Sequence, residues 1–306
     1  MKLPRLPVLE GWRKRAAYGA FFALAFLLAL QRTFPADAVR ERLTLEAAAQ
    51  GWQVRMNDIA PSGFAGVRMS EVTLESRDGT RIPLEQARVS LRLWPLLLGR
   101  RSLAFDLRLF QGRLEGVVET RSGAQRLALR GQGIDLATAA PLKQVVGGLD
   151  LSGVLRTDLD VTLDPKDPQK TSGRIELAVE RAGLGGQVSF PGTSGALTIP
   201  KASLGTVTGQ AAVKAGKAEF EKLEARGGDL EATGEQLYFM VQPRLEFAPL
   251  FGRARLKVAE GFWQKAPALR SLADTALASS RRPDGSWQFQ IYGSLGHPQA
   301  KALGGP

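Results

Sequence analysis

From Trp52 onward, apolar and polar residues alternate with a period of two over most of the chain. Val89, Leu91 and Leu93 are interleaved with Arg88, Ser90 and Arg92, and Leu103, Phe105, Leu107 and Leu109 with Ala104, Asp106 and Arg108. Leu155, Leu159, Val161 and Leu163 stand against Arg156, Asp158, Asp160, Thr162 and Asp164. Ile175, Leu177 and Val179 oppose Arg174 and Glu176; near the end, Trp287, Phe289 and Ile291 oppose Ser286, Gln288 and Gln290. Successive side chains of a strand point to opposite faces, so the pattern predicts antiparallel sheet with one apolar and one polar face. Glycine-bearing breaks at Asp78-Gly79, Gln111-Gly112, Ser122-Gly123, Gly147-Gly148, Gly227-Gly228 and Asp284-Gly285 separate the runs.

Two short helices interrupt the strands, one near 137–146 and one near 266–279, where Leu269, Leu272, Ala273 and Ala276 share a face. Two such helices are too small to cover the apolar side of about a dozen strands. That side either closes on itself as a sandwich or barrel or curls into an elongated trough. An open trough needs an apolar occupant, and next to a membrane acyl chains are the obvious one. Leu91, Leu93, Phe105, Leu107, Leu109, Leu159, Val161, Leu163, Ile175 and Leu177 are the candidate residues of this core or groove face.

The N-terminal segment has a different character. Residues 16–30 carry no charge, and at ~1.5 Å per residue they span ~22 Å, short of a ~30 Å hydrocarbon core. Extending the helix from Trp12 to Phe34 reaches ~34 Å, because Arg13, Lys14, Arg15 and Arg32 can snorkel and Trp12 and Tyr18 suit the interface. The anchor is assigned to Ala16, Phe21, Phe22, Leu24, Phe26, Leu27, Leu28 and Leu30. Positive charge is heavier before the segment than after it, which keeps the N-terminus cytoplasmic and exports the rest. A cleaved signal peptide fits the same basic and apolar stretches, with Ala36-Asp37-Ala38 as its processing site. Against cleavage, Pro35 suits a helix start, Val39, Leu43, Ala47 and Gln50 share one face, and Gly51 ends it. The expected organisation is a basic tail and single anchor over 1–34, a juxtamembrane amphipathic helix over 35–51, and one β domain over 52–306. A seam within that domain is placed near 164–168.

The 34 glycines and 17 prolines fit a protein of strands and turns. The net charge of +11 suggests nucleic acid at first sight. Five basic residues against one acidic in residues 1–15 account for +4 of it, and the remainder is spread singly along strand faces such as Arg253-Ala254-Arg255-Leu256-Lys257. Clustered basic residues interleaved with aromatics are missing, so attraction to anionic headgroups is the better use of this charge. The absence of cysteine excludes disulfides, thiolate catalysis and Cys-based zinc sites.

Catalytic signatures are equally sparse. The single histidine, His297, sits in a Gly/Pro-rich tail, and no G-x-S-x-G elbow supports a serine nucleophile. Residues 209–217 superficially resemble a phosphate loop, but the glycine spacing is too long and Lys217 is followed by Ala218. Asp158, Asp160, Asp164 and Asp167 form the best acidic cluster, yet they lack the spacing of a calcium loop. The expectation is a chain with no catalytic residue, no cofactor and no metal.

The order of segments resembles the type II secretion system protein N (GspN) family and, more distantly, the AsmA-like envelope proteins. The resemblance runs from the anchor through Phe34-Pro35 and Gly51-Trp52-Gln53-Val54 to Trp94-Pro95-Leu96-Leu97-Leu98-Gly99 closing a strand. It continues through Phe110-Gln111-Gly112-Arg113-Leu114-Glu115-Gly116, Gly133-Ile134-Asp135-Leu136 and Leu149-Asp150-Leu151-Ser152-Gly153 to Tyr292-Gly293-Ser294-Leu295-Gly296-His297-Pro298. It implies a mainly β fold in which a transmembrane helix precedes an elongated, curved antiparallel sheet, either an AsmA-like groove or a flattened sandwich. It further implies a non-catalytic, single-pass protein of the bacterial inner membrane facing the periplasm, with other type II secretion proteins as partners. The AsmA-like relatives imply lipid binding or transfer on a curved β groove.

Overall fold

The structure, a computed structural model, describes residues 35–304 except 50, 64, 77–78, 122, 146–147, 165, 190–195 and 243; before residue 35 it describes residues 16, 18, 19, 21, 22 and 25 alone. Of the expected anchor, Ala16, Phe21 and Phe22 are helical, while Leu24, Phe26, Leu27, Leu28 and Leu30 lie outside the described residues. No helix among the described residues is long and apolar enough to cross a membrane.

Helix α1 (Ala36–Ala49) precedes β1 (Trp52–Arg55), β2 (Asp58–Pro61), β3 (Gly66–Ser76) and β4 (Arg81–Leu91). A single helical turn, α2 (Leu93–Leu97), leads into β5 (Arg101–Leu109), β6 (Gly112–Arg121) and β7 (Ala124–Asp135). Helix α3 (Ala140–Val145) follows, then β8 (Asp150–Leu163), β9 (Ser172–Ser189) and β10 (Ala196–Lys214). Next come β11 (Lys217–Arg226), β12 (Leu230–Met240) and β13 (Leu250–Val258). Helices α4 (Glu260–Lys265) and α5 (Pro267–Ala276) precede β14 (Trp287–Gly293) and β15 (Pro298–Ala302).

All fifteen strands belong to one sheet, ordered as they occur in the chain except that β1 and β2 both pair with β3. Each pairing is antiparallel. The first and last strands do not meet, so the sheet is open. Barrel closure and a two-sheet sandwich are both excluded by this order. Residues 164 and 166–168 lie in the connection between β8 and β9, which pair with each other up to Thr162 and Ser172. Of the helix expected near 137–146, Ala140–Val145 is helical and residue 146 lies outside the described residues; that near 266–279 is Pro267–Ala276 with α4 ahead of it.

One expected face residue leaves the sheet. The alternation through Val89, Leu91 and Leu93 ends at Leu91, and Leu93 opens α2 instead. Pro95 lacks the N–H that a continuing strand would require, and Gly99, at φ +71°, takes up the left-handed turn into β5.

Long strands keep their apolar side chains on one side by means of bulges. Pairing shifts by one residue between Gly131 and Ile134 of β7 and between Glu235 and Tyr238 of β12, where Gln236 has a positive φ. The extra residue restores phase: Leu127, Leu129 and Ile134 stay on one face of β7, and Ala232, Leu237 and Phe239 on one face of β12. A strict period of two would have turned Ile134 and Leu237 outward.

Three clusters anchor the sheet. Ala36, Val39 and Leu43 of α1 pack on Ile59, Met69, Val72, Leu84 and Ala87; of the face expected for this helix, Val39 and Leu43 make this contact, Ala47 is not part of the cluster, and Gln50 lies outside the described residues. Phe262 and Ala266 of α4 and its flank cover Ala202. Between them, Val161, Val213, Ala218, Leu237, Phe239, Ala248 and Leu250 bury one another without any α-helix. Packing across the strands is close. The ring of Phe105 lies over Gly116 on the neighbouring strand, where a Cβ would come within 2.6 Å of the ring and 2.5 Å of the Ala128 carbonyl oxygen. Gly116→Val is expected to destabilise the sheet by about 1–3 kcal/mol through overpacking, read as a lower urea midpoint with an unchanged slope.

Candidate apolar groove

Register turns the one-sided pattern of each strand into continuous rows. One row runs through Leu91, Leu103, Val118, Leu127, Val161, Gly173, Val213, Ala218, Phe239 and Leu250, from β4 to β13. The next runs through Val67, Val89, Phe105, Gly116, Leu129, Leu159, Ile175, Ala211 and Phe220. Neither row contains a charged or polar side chain. Neighbouring antiparallel residues on one face are in contact distance, so these rows are apolar stripes across the sheet.

The stripe deepens into a groove where the sheet curls. Leu127 of β7 and Phe239 of β12 are five strand spacings apart, ~24 Å on a flat sheet, yet they line the same cavity of about 310 Å³. Leu159, Val161, Leu163, Ile175, Val213, Val241 and Leu245 also line its apolar wall, and Gln125, Asp164 and Gln242 stand among its polar lining. Four residues singled out by alternation therefore converge here: Leu159, Val161, Leu163 and Ile175. Leu177 instead lies over Gly209, its Cγ 2.9 Å from where a Cβ would be. Leu107 and Leu109 pack on the cluster beneath α1. Phe105 covers Gly116, and Leu91 and Leu93 are exposed at the sheet's end. Sequence reasoning missed Leu127, Val213, Phe239, Val241 and Leu245. Leu127 and Leu129 alternate visibly with Arg126 and Arg130, whereas Phe239 lies beyond a bulge that hides its phase.

The opposite face is a lattice of ion pairs. Arg126 donates from Nε and Nη2 to the two carboxylate oxygens of Asp160 at 2.8 and 2.6 Å. Arg113 grips Asp106 in the same way at 2.9 and 2.8 Å. Arg130 donates twice to Asp158, directly opposite it, at 3.0 and 2.9 Å. Arg156 pairs with Glu180 and Arg255 with Glu235. The acidic cluster is thus divided. Asp158 and Asp160 face arginines, while Asp164 accepts from the backbone N–H groups of Lys166 and Asp167, and Asp167 from that of Gln169. Among the described residues no group of three or more His, Asp or Glu is placed to hold a metal ion. His297 sits in the β14–β15 turn, where its backbone N–H donates to Ser294 Oγ.

The arrangement offers a curved apolar surface on one side and a solvated, charged one on the other. Comparison with protein-family models, with curated proteins and with solved structures finds no match.

The ion pairs set a pH dependence. Hydrogen bonding from Arg126, opposed by partial desolvation, holds the Asp160 carboxyl below its ordinary value of 3.8, and Arg113 does the same for Asp106. A carboxylate whose pKa is lowered by folding adds stability in full above the unfolded value and loses it as pH falls through the folded value. Both partners of the Asp160 pair are about half exposed, so solvent screening limits it to about 1 kcal/mol or less. Asp160→Asn is expected to lower the melting temperature slightly at pH 7 and to converge with the parent as the pH is taken below the ordinary carboxyl value and through the folded one, as thermal melts across the acid range would report.

Proposed function

We propose that this chain is a non-catalytic, membrane-tethered protein of the bacterial envelope whose open apolar sheet face takes up lipid acyl chains. One observation carries the reading: two apolar stripes span nine and ten strands, buried where the sheet curls on itself at Val161, Val213 and Phe239 but only half-buried at Phe105, Leu127 and Leu129. A sheet face of this kind is stable in water only when something apolar covers it. A cavity of about 310 Å³ is at the lower end of small-ligand sites, and its continuation along the stripes suits a long, thin occupant. The uncharged residues 16–30 serve as the tether in the inner membrane, and the sheet lies on the periplasmic side. Lipid is the partner, and the work is binding or transfer.

Two substitutions distinguish this groove from a sealed core. Val161 is 6% exposed within the central cluster, so Val161→Glu buries an unpaired charge and unfolds the sheet locally. Leu127 is half-buried on the groove wall, so Leu127→Glu is expected to leave circular dichroism and melting nearly unchanged. It should also abolish the co-purifying lipid seen by mass spectrometry of the parent. A parent chain that is free of lipid when extracted from membranes would end this reading.

A second reading rests on the order of segments from Phe34-Pro35 to Tyr292-Gly293-Ser294, which favours an accessory component of the type II secretion apparatus. On that reading a deletion strain accumulates a folded export substrate in the periplasm and the full chain co-purifies with secretion proteins. Unimpaired export in the deletion strain would count against it.

A further inference from the structure

The turn between β4 and β5 is built against the usual rule for a water-exposed loop. Trp94, Leu97 and Leu98 are 76%, 78% and 64% exposed, and Leu91, Leu93 and Leu96 are about half exposed around them. The sheet does not use these side chains: no cluster of the core includes them. The backbone of the turn is closed on itself. The N–H groups of Leu98 and Arg100 donate to the Pro95 carbonyl, and that of Gly99 to Leu96. An exposed apolar turn that satisfies its own polar groups is suited to a medium poor in water.

Charge says which medium. From Gln86 to Phe105 the chain carries Arg88, Arg92, Arg100 and Arg101 and no acidic residue. Arg92 approaches Glu119 at 3.9 Å, and Arg100 and Arg101 make no ion pair among the described residues. Tryptophan and leucine at a tip flanked by Arg92 and by the unpaired Arg100 and Arg101 match a headgroup boundary with negative charge below it.

The position of α1 agrees. Its last residues precede Trp52, which pairs with Ser76 at the end of the sheet remote from the turn. Arg40 reaches back to the carbonyl of Asn57, so the helix runs beside β1 toward the end where Gly66 faces Ser90 and α2 projects. Ala36, the first residue of α1, therefore lies toward the same end of the sheet as the tip.

We infer that α2 is an interfacial insertion tip: Trp94, Leu97 and Leu98 enter the outer acyl region of a bilayer while Arg92, Arg100 and Arg101 bind anionic headgroups. This fixes one end of the sheet on the membrane surface and brings the open end of the apolar stripe, at Leu91 and Leu103, to the lipid. It stands whether or not acyl chains fill the groove.

The chain has no cysteine, so Leu97→Cys gives a unique site for an environment-sensitive fluorophore, and Ala137→Cys, exposed at the opposite end of the sheet, gives the control. The full chain carrying either label is reconstituted into vesicles of phosphatidylcholine with about one-third phosphatidylglycerol. At position 97 the emission should shift to the blue, be quenched by nitroxide-bearing lipid and be shielded from iodide; at 137 none of these should occur. Replacing Arg100 and Arg101 with alanine, or using phosphatidylcholine alone, should lower the ratio of inserted to water-exposed probe by about tenfold or more. A label at 97 as accessible to iodide as that at 137 overturns the inference. So does a label shielded only in native membranes, which would mean a protein partner, or one that cross-links between copies without lipid quenching. Equal insertion into neutral vesicles would remove the arginines from the proposal and overturn it as stated. Absence of co-purified lipid with an inserted tip would end the groove reading and leave this one intact.

Discussion

An antiparallel sheet that places its apolar side chains on one side must bring that side out of water, and almost everything else in this protein follows from how it does so. Each buried aliphatic or aromatic side chain contributes about 1.5–3 kcal/mol, so rows of nine or ten residues dominate the stability of the sheet. Rows of this length exist only because the strands stay in phase. The bulges in β7 and β12 therefore do as much for the core as the hydrophobic residues themselves. Without them Ile134, and Leu237 with Phe239, would turn to the polar face.

The covering is uneven, and the unevenness is what positions a function. α1 closes the first strands, and α4 with its flanking residues closes the far ends of the later ones. In the region of β8 to β13 the sheet curls enough to pack on itself. Between these, around Phe105, Leu127 and Leu129, side chains are only half-buried. A groove results because the curl is strong at one place and weak at the next. The ion pairs on the other face keep that side solvated and oppose stacking through it, since Arg126, Arg130 and Arg113 would be stripped of water by any apolar contact.

Direction adds the remaining constraint. The stripe through Leu91 and Leu103 reaches the end of the sheet at the very turn that carries Trp94, Leu97 and Leu98. An apolar path that stopped inside the sheet would need a pore or a partner for entry. This one opens beside the exposed apolar turn, so the groove and the tip form one surface rather than two.

The amino-acid sequence by itself determined that the protein is mainly β, that its strands have an apolar and a polar side, and, within each uninterrupted run, which residues share a side. Alternation is a local property, and Leu159, Val161, Leu163 and Ile175 declare it without reference to anything distant. It also carried the face of α1 through Val39 and Leu43. Only the tertiary structure decided that the sheet stays open, because closure depends on whether β1 and β15 meet, and no local pattern encodes a pairing across the whole chain. It alone brought Phe239 to Leu127, since a bulge resets the phase and curl shortens the distance between strands that are far apart in order. And it alone turned Leu93 out of its strand, where Pro95 and Gly99 make a turn whose apolar side chains, legible as core in the sequence, find no core to enter.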